Sequence, residues 1–203
     1  MLELRDISFG YKKNEPLYEG VNLAVAPGER VALQAPSGFG KTTLCRIMAG
    51  YLAPWSGEVL VNGQPLPRKG VFPVQLILQH PETAVDPRMR MRSTLEEAGP
   101  IDEELLVRFG IREEWLSRFP HELSGGELQR FCIVRALMAK PRYLIADEIS
   151  TMLDPVTQLQ IWRALLEEVA ALNMGLVFVS HSPQLTQHLA TRVVDLEATR
   201  NPS

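Results

Sequence analysis

Leu2 to Ser8 alternates apolar and polar residues, the pattern of a strand with one wet face. Phe9-Gly10-Tyr11 and a polar loop, Lys12 to Glu15, come next, and Val21 to Val25 alternates again. Ala26-Pro27-Gly28-Glu29 is a turn ahead of the apolar run Val31-Ala32-Leu33, which predicts a buried strand, and Leu44 to Ala49 predicts a helix. Gly57 to Val61 and Gln64 to Leu66 flank Asn62-Gly63, the strongest short hairpin signal. The N-terminal part therefore mixes antiparallel strands with the start of a parallel core. Val74 to Leu78 reads as a buried strand ending at Gln79. Residues 93–119 look helical but are broken by Gly99-Pro100, Gly110 and Pro120. A helix over Glu127 to Ala139, a strand over Tyr143 to Ala146 and an amphipathic helix from Pro155 to Leu172 follow, with Pro155 suited to a first turn. Gly175 to Val179 is a further buried strand, trailed by a helix over Pro183 to Ala190 and a strand over Arg192 to Leu196. Strands alternating with helices predict a parallel sheet, hence an α/β fold. The tail after Glu197 is expected to fray.

Composition narrows this only a little. The chain's 203 residues suffice for one domain with a sizeable core. A net charge of −3 leaves no basic footprint for nucleic acid. The segment Met1 to Asp6 lacks the basic start and apolar stretch of a signal peptide, and no apolar run approaches the roughly 18 residues of a membrane span. The expected location is cytoplasmic, with any membrane role exercised through a partner. Cys45 and Cys132 sit in apolar helical patterns and are expected to be buried hydrophobes, not disulfide partners or metal ligands.

The chemistry concentrates at strand ends. Ala35-Pro36-Ser37-Gly38-Phe39-Gly40-Lys41-Thr42-Thr43 lies between a strand and a helix, the context of a phosphate-binding loop. Gly38 and Gly40 let several backbone N–H groups point at one spot, and the helix start adds its own unpaired N–H groups and positive dipole end. Lys41 offers a charge to β- and γ-phosphates, and Thr42 a hydroxyl to Mg²⁺. The pattern asks for glycine where Ala35 stands. If that position needed positive φ, alanine would cost roughly 1 kcal/mol, small beside the ~8 kcal/mol of a micromolar nucleotide. Asp147 and Glu148, at the end of an apolar strand, face the crevice where α/β folds bind ligands. One carboxylate there can hold Mg²⁺, and the other can orient or deprotonate a water.

Leu123-Ser124-Gly125-Gly126-Glu127-Leu128-Gln129-Arg130 resembles the signature motif of ATP-binding cassette (ABC) ATPases, and the resemblance extends over residues 1–196. It implies a P-loop NTPase core with a mainly parallel sheet, an N-terminal antiparallel β-subdomain and a reduced helical signature subdomain. The single domain over 1–203 then divides into β-subdomain and catalytic core (about 1–78 plus 141–203) and Q-loop and helical subdomain (about 79–140). By the same resemblance Tyr11 stacks on adenine, and Ser37, Gly38, Phe39, Gly40, Lys41, Thr42 and Thr43 hold the nucleotide. Thr42, Gln79 and Asp147 serve the metal; Glu148, His181 and Lys41 are catalytic; Asp154 belongs to the D-loop, Ser150-Thr151-Met152-Leu153-Asp154. Ser124, Gly125, Gly126 and Gln129 act in trans on ATP held by a second cassette. The implied cofactors are ATP and Mg²⁺. The implied partners are a second ABC ATPase subunit and membrane permease subunits, which place the chain on the inner face of the membrane. The Q-loop stretch from Gln79 to Met89, and Phe119-Pro120-His121-Glu122 before the signature, are similar to the peptide/nickel importer group. The segment from Gln79 to the signature is shorter than in that group. Ala35 tilts the pairing towards a different partner subunit rather than a second copy. Two rival readings are a non-transport ABC ATPase, which the acidic charge opposes, and a regulatory subunit without turnover, which the intact Glu148 and His181 oppose.

Overall fold

The computed structural model describes residues 1–151 and 153–197. The alternating N-terminal segments pair into an antiparallel sheet. Strand β1 (Leu2–Phe9) lies between β2 (Tyr18–Val25) and β4 (Ser56–Val61), and β4 turns back onto the two-residue β5 (Gln64–Pro65). Asn62 and Gly63 at that turn have φ of 53° and 74°, as a type I′ hairpin turn requires.

The unbroken apolar runs form the second sheet. It holds β3 (Arg30–Gln34), β6 (Val74–Ile77), β7 (Tyr143–Asp147), β8 (Gly175–Val179) and β9 (Arg192–Asp195), in the order β6-β7-β8-β3-β9, with every neighbouring pair parallel. Parallel sheets are covered on both faces, and successive residues of these strands enter two separate cores. Val31, Leu33, Ile145, Val177 and Val179 pack with helix α1 (Lys41–Met48) and the antiparallel sheet. Ala32, Leu144, Ala146, Leu176 and Phe178 pack with α4 (Gly125–Met138) and α5 (Pro155–Ala171). Helix α1 is thus clamped between the two sheets, which fixes the loop that leads into it.

Between β6 and α4 the chain makes only two six-residue helices, α2 (Met91–Glu96) and α3 (Glu103–Arg108), with 3-10 turns at 81–83, 113–117 and 120–122. The glycines and prolines of that region do break it as expected. Helix α6 (Pro183–Leu189) leads into β9. Burial pushes the Cys45 thiol well above its usual range and Cys132 to about 11, so both are inert core side chains. Among the described residues no helix is long and apolar enough to cross a membrane. Met152 and the tail expected to fray after Glu197 lie outside the described residues.

Candidate nucleotide site

Because the second sheet is parallel, the C-terminal ends of its strands share one edge, where such folds gather ligand groups. The phosphate loop leaves β3, Gln79 lies two residues past β6, Asp147-Glu148 closes β7, and Ser180-His181 follows β8. The register sets Leu33 and Asp147 both beside Val179, so these turns emerge at one level.

The phosphate loop has the backbone its glycines permit. Gly38 and Gly40 have φ of 79° and 97°. A Cβ on Gly40 would lie 2.7 Å from both Leu17 Cδ2 and the Tyr18 hydroxyl, which itself donates to the Gly40 carbonyl at 2.5 Å. Glycine is therefore required there twice, by conformation and by space. Ala35 has no positive φ, so its departure from glycine carries no strain and gives no argument for a different partner subunit. Ala35→Gly should change ATP affinity by less than about twofold, while the freer unfolded chain costs ~0.5–1 kcal/mol of stability; nucleotide titration and a melting curve check both. Lys41 is nearly buried, and its Nζ donates to the carbonyls of Ala35 at 2.7 Å and Pro36 at 3.1 Å. Lys41, Ala35, Pro36, Ser180 and His181 line one cleft of about 320 Å³.

The two adjacent carboxylates have separate surroundings. Asp147 is 1% exposed, and its Oδ1 has no hydrogen-bond partner. Burial raises its pKa, the neighbouring Thr42 hydroxyl pulls it down, and Glu148 pushes it up. Glu148 leaves the strand in the left-handed region, φ 52°, a conformation costing on the order of 1–2 kcal/mol outside glycine. Its N–H donates to the Val179 carbonyl at 3.2 Å, and its own carbonyl accepts from Thr151 Oγ1 at 3.1 Å. The turn carries Glu148 to His181, whose Nε2 lies 2.8 Å from Glu148 Oε1. Gln79 Nε2 donates to Thr151 Oγ1 at 3.5 Å. Thr151 thus joins Gln79 to the Glu148 turn, a link no pattern in the sequence announced.

Mg²⁺ prefers hard oxygen donors and keeps phosphate and water among its ligands. The unpartnered Asp147 Oδ1 beside the Thr42 hydroxyl suits it. No group of three His, Cys, Asp or Glu side chains that could hold a metal exists among the described residues, which suits a cation that brings ligands with it, as one bound to a nucleotide does.

Ser124 caps α4, its Oγ accepting from the Glu127 N–H at 3.3 Å while Glu127 Oε2 accepts from the Ser124 N–H at 2.8 Å, a capping box. That leaves the Ser124 hydroxyl proton and the N–H groups of Gly125 and Gly126 to an anion. None of the three lines the cleft holding Lys41. Gln129 differs from expectation: it is 2% exposed, and its Nε2 donates to the Leu78 carbonyl at 3.3 Å. It ties the signature helix to the strand end before Gln79 and is not presented to a partner. Asp154 caps α5 by accepting from the N–H groups of Val156 and Thr157, both at 3.0 Å. The Thr157 hydroxyl first, and then those backbone bonds, hold its carboxyl below the usual range. Tyr11 is 66% exposed, its hydroxyl paired with Thr43 Oγ1 at 2.9 Å and its ring edge-on to Phe9 at 5.1 Å.

A fold of this kind, with a phosphate loop, a buried strand-end aspartate and a capped signature helix, defines an ATP-binding cassette. The ABC transporter family model matches residues 18–151, and the chain belongs to that family. It is an ABC ATPase, binding ATP with Mg²⁺ and hydrolysing it. The chain is 31% identical to the nickel import system ATP-binding protein NikE of Staphylococcus aureus (strain bovine RF122 / ET3-1), over 97% of this chain and 87% of that protein. It superposes with a TM-score of 0.83 and 23% identity on the ATP-binding cassette MJ0796, solved as a dimer in a post-hydrolysis state with ADP and Pi; that match covers 96% of this chain and 94% of that one. An ATP-binding subunit of an ABC transporter gives the same TM-score at 27% identity, over 96% and 85%. The protein is thus an ABC transporter ATP-binding subunit with nickel-importer relatives.

Proposed function

We propose that the chain powers import of nickel, a peptide or a related solute, by closing on a second cassette beneath a membrane permease. The reading rests above all on a second anion-binding helix start, Ser124–Gly126 at the head of α4, in addition to the phosphate loop at the head of α1: two phosphate sites on one chain are complete only when two cassettes pair head to tail. Tyr11 carries the base; the loop from Ser37 to Thr43 carries the phosphates. Lys41 meets the β- and γ-phosphates, moving from the carbonyls that now hold it. Thr42 and Asp147, with Gln79 as a further ligand from just past β6, would hold Mg²⁺, which would supply neutralisation of phosphate charge. Glu148 takes the proton of the attacking water or orients it, and His181 donates to the γ-phosphate while fixing the Glu148 carboxylate. Asp154 and the signature lie on the partner-facing side. ATP favours the closed pair and its products the open one, the differential affinity that drives a two-state machine.

A groove of about 260 Å³ supports the permease contact. Leu78, Ala84, Cys132 and Ala136 line it together with Phe72, and Tyr51 and Val71, 65% and 67% exposed, stand at its edge. Leu78, the residue before Gln79, is part of its lining, so an apolar turn of a permease helix seated there would bear on the strand end that carries Gln79. The protein then sits on the inner face of the membrane. The test is uptake by vesicles carrying the chain with its permease subunits. ATP-dependent uptake of ⁶³Ni²⁺ or labelled oligopeptide, lost in Glu148→Gln, is expected; ATP hydrolysis indifferent to permease and solute sinks the reading.

A further inference from the structure

We infer that Trp55 is a positioning residue for Tyr11 and sets how strongly the site prefers a nucleotide over bare phosphates. The inference rests on the base-carrying role proposed for Tyr11. Trp55 immediately precedes β4, and its N–H donates to the Ser8 carbonyl at 2.7 Å, which anchors it beside the end of β1. From there the indole packs on Gly10. A Cβ on Gly10 would stand 2.5 Å from Trp55 Cη2 and 2.7 Å from Cζ2, with the Glu15 carbonyl at 2.3 Å from the other quarter. Only a residue without a side chain lets the ring and that carbonyl close on the backbone so tightly.

Gly10 is the residue before Tyr11. The same indole meets Phe9 with ring centroids 6.4 Å apart, and Phe9 meets Tyr11 edge-on at 5.1 Å. Trp55 therefore reaches Tyr11 by two routes, through the backbone of Gly10 and through the ring of Phe9. Tyr11's own anchor is one hydroxyl bond to Thr43. A phenol held at its hydroxyl can still swing its plane, and stacking depends on that plane. Trp55 restricts that swing.

Trp55 is 49% exposed, and with Tyr11 it lines an open cavity of about 610 Å³ with Ser8, Asn14 and Glu19 on its polar wall. Removing the ring opens space at the surface without excavating either core, so the variant can be expected to fold.

The experiment compares Mg-ATP and inorganic Mg-tripolyphosphate, whose ratio of affinities isolates the contribution of the nucleoside. Both are titrated calorimetrically into wild type, Trp55→Ala, Trp55→Phe and Tyr11→Ala, with a melting curve for each. Base stacking on an aromatic spans about five- to a hundredfold in affinity, so Tyr11→Ala should lower the ratio about tenfold or more. Trp55→Ala should lower it about three- to tenfold with tripolyphosphate binding unchanged, and Trp55→Phe should restore most of it. A Trp55→Ala ratio equal to wild type, with that of Tyr11→Ala reduced, overturns the inference and leaves the role of Tyr11 standing. Equal weakening of both ligands by Trp55→Ala also overturns it, since that is general damage. An unchanged ratio in Tyr11→Ala removes the base-carrying role itself and this inference with it.

Discussion

Glu148→Gln should lower steady-state Mg-ATP turnover by about a hundredfold or more while ATP binding persists, the scale at which positioned general bases contribute. The substitution is unusually clean here. Glutamine keeps the side-chain length, and its carbonyl oxygen can still accept from His181 Nε2, now 2.8 Å from Glu148 Oε1. It inherits the left-handed backbone, φ 52°, and the two backbone ties that hold it. What it cannot do is accept the water's proton. The ATP-favoured pair should then form and persist, visible as an ATP-dependent doubling of mass in size-exclusion light scattering, with the partner cassette added if the chain does not pair with itself. Turnover at the wild-type rate would end the assignment of Glu148. His181→Ala is the natural companion, since it removes the contact that glutamine keeps. A loss of turnover in both, with ATP affinity kept in Glu148→Gln, would distinguish a proton-transfer role from a merely structural ion pair.

The sequence made much of this site readable because its chemistry is local. A strand, a glycine turn and a helix in succession suffice to aim N–H groups at one point, and the hairpin at Asn62-Gly63 is dictated by two residues. The strand ends were legible too: apolar runs that stop at Gln79, Asp147 and Ser180 must share an edge once the sheet is parallel. What stayed hidden were orientations decided by tertiary partners. Gln129 sits within the signature octapeptide, yet Leu78, fifty-one residues away, turns it inward. Ala35 broke a glycine pattern, and only the backbone shows that no positive φ was demanded. Glu168, a charged residue on the apolar face of α5, is explained by Arg108 of α3, which donates to it across the fold. No periodicity marks Trp55, whose ring lies against Gly10. Periodicity reports which face is buried; it carries no record of which polar group meets which.

Asp147→Asn should separate stability from function in the opposite sense to most core changes. The wild-type carboxylate is buried, its Oδ1 unpartnered, and its pKa raised mainly by burial. A raised pKa means the folded state binds its proton more tightly than the unfolded chain. Stability without nucleotide therefore falls as pH climbs from the unfolded carboxylate value through the higher folded one, and the penalty is complete above the folded value. Asparagine carries no charge and still accepts from the Thr42 hydroxyl, so it removes that penalty at the lesser cost of a buried amide. At neutral pH the nucleotide-free variant should melt a few degrees higher, since about 1 kcal/mol moves a chain of this size by ~2–4 °C. Its melting temperature should also lose the rise that wild type shows on mild acidification. Turnover should fall about a hundredfold or more, because a neutral amide is a poor exchange for a carboxylate facing Mg²⁺. The stimulation of nucleotide binding by Mg²⁺ should shrink with it. Calorimetric melts across pH, with ATP titrations in Mg²⁺ and in EDTA, check both halves. A variant that melts lower than wild type, or hydrolyses ATP as fast, would show that Asp147 is satisfied by the protein alone. The expected outcome instead places the destabilising charge where the cation is needed, a local loss of stability kept because binding repays it.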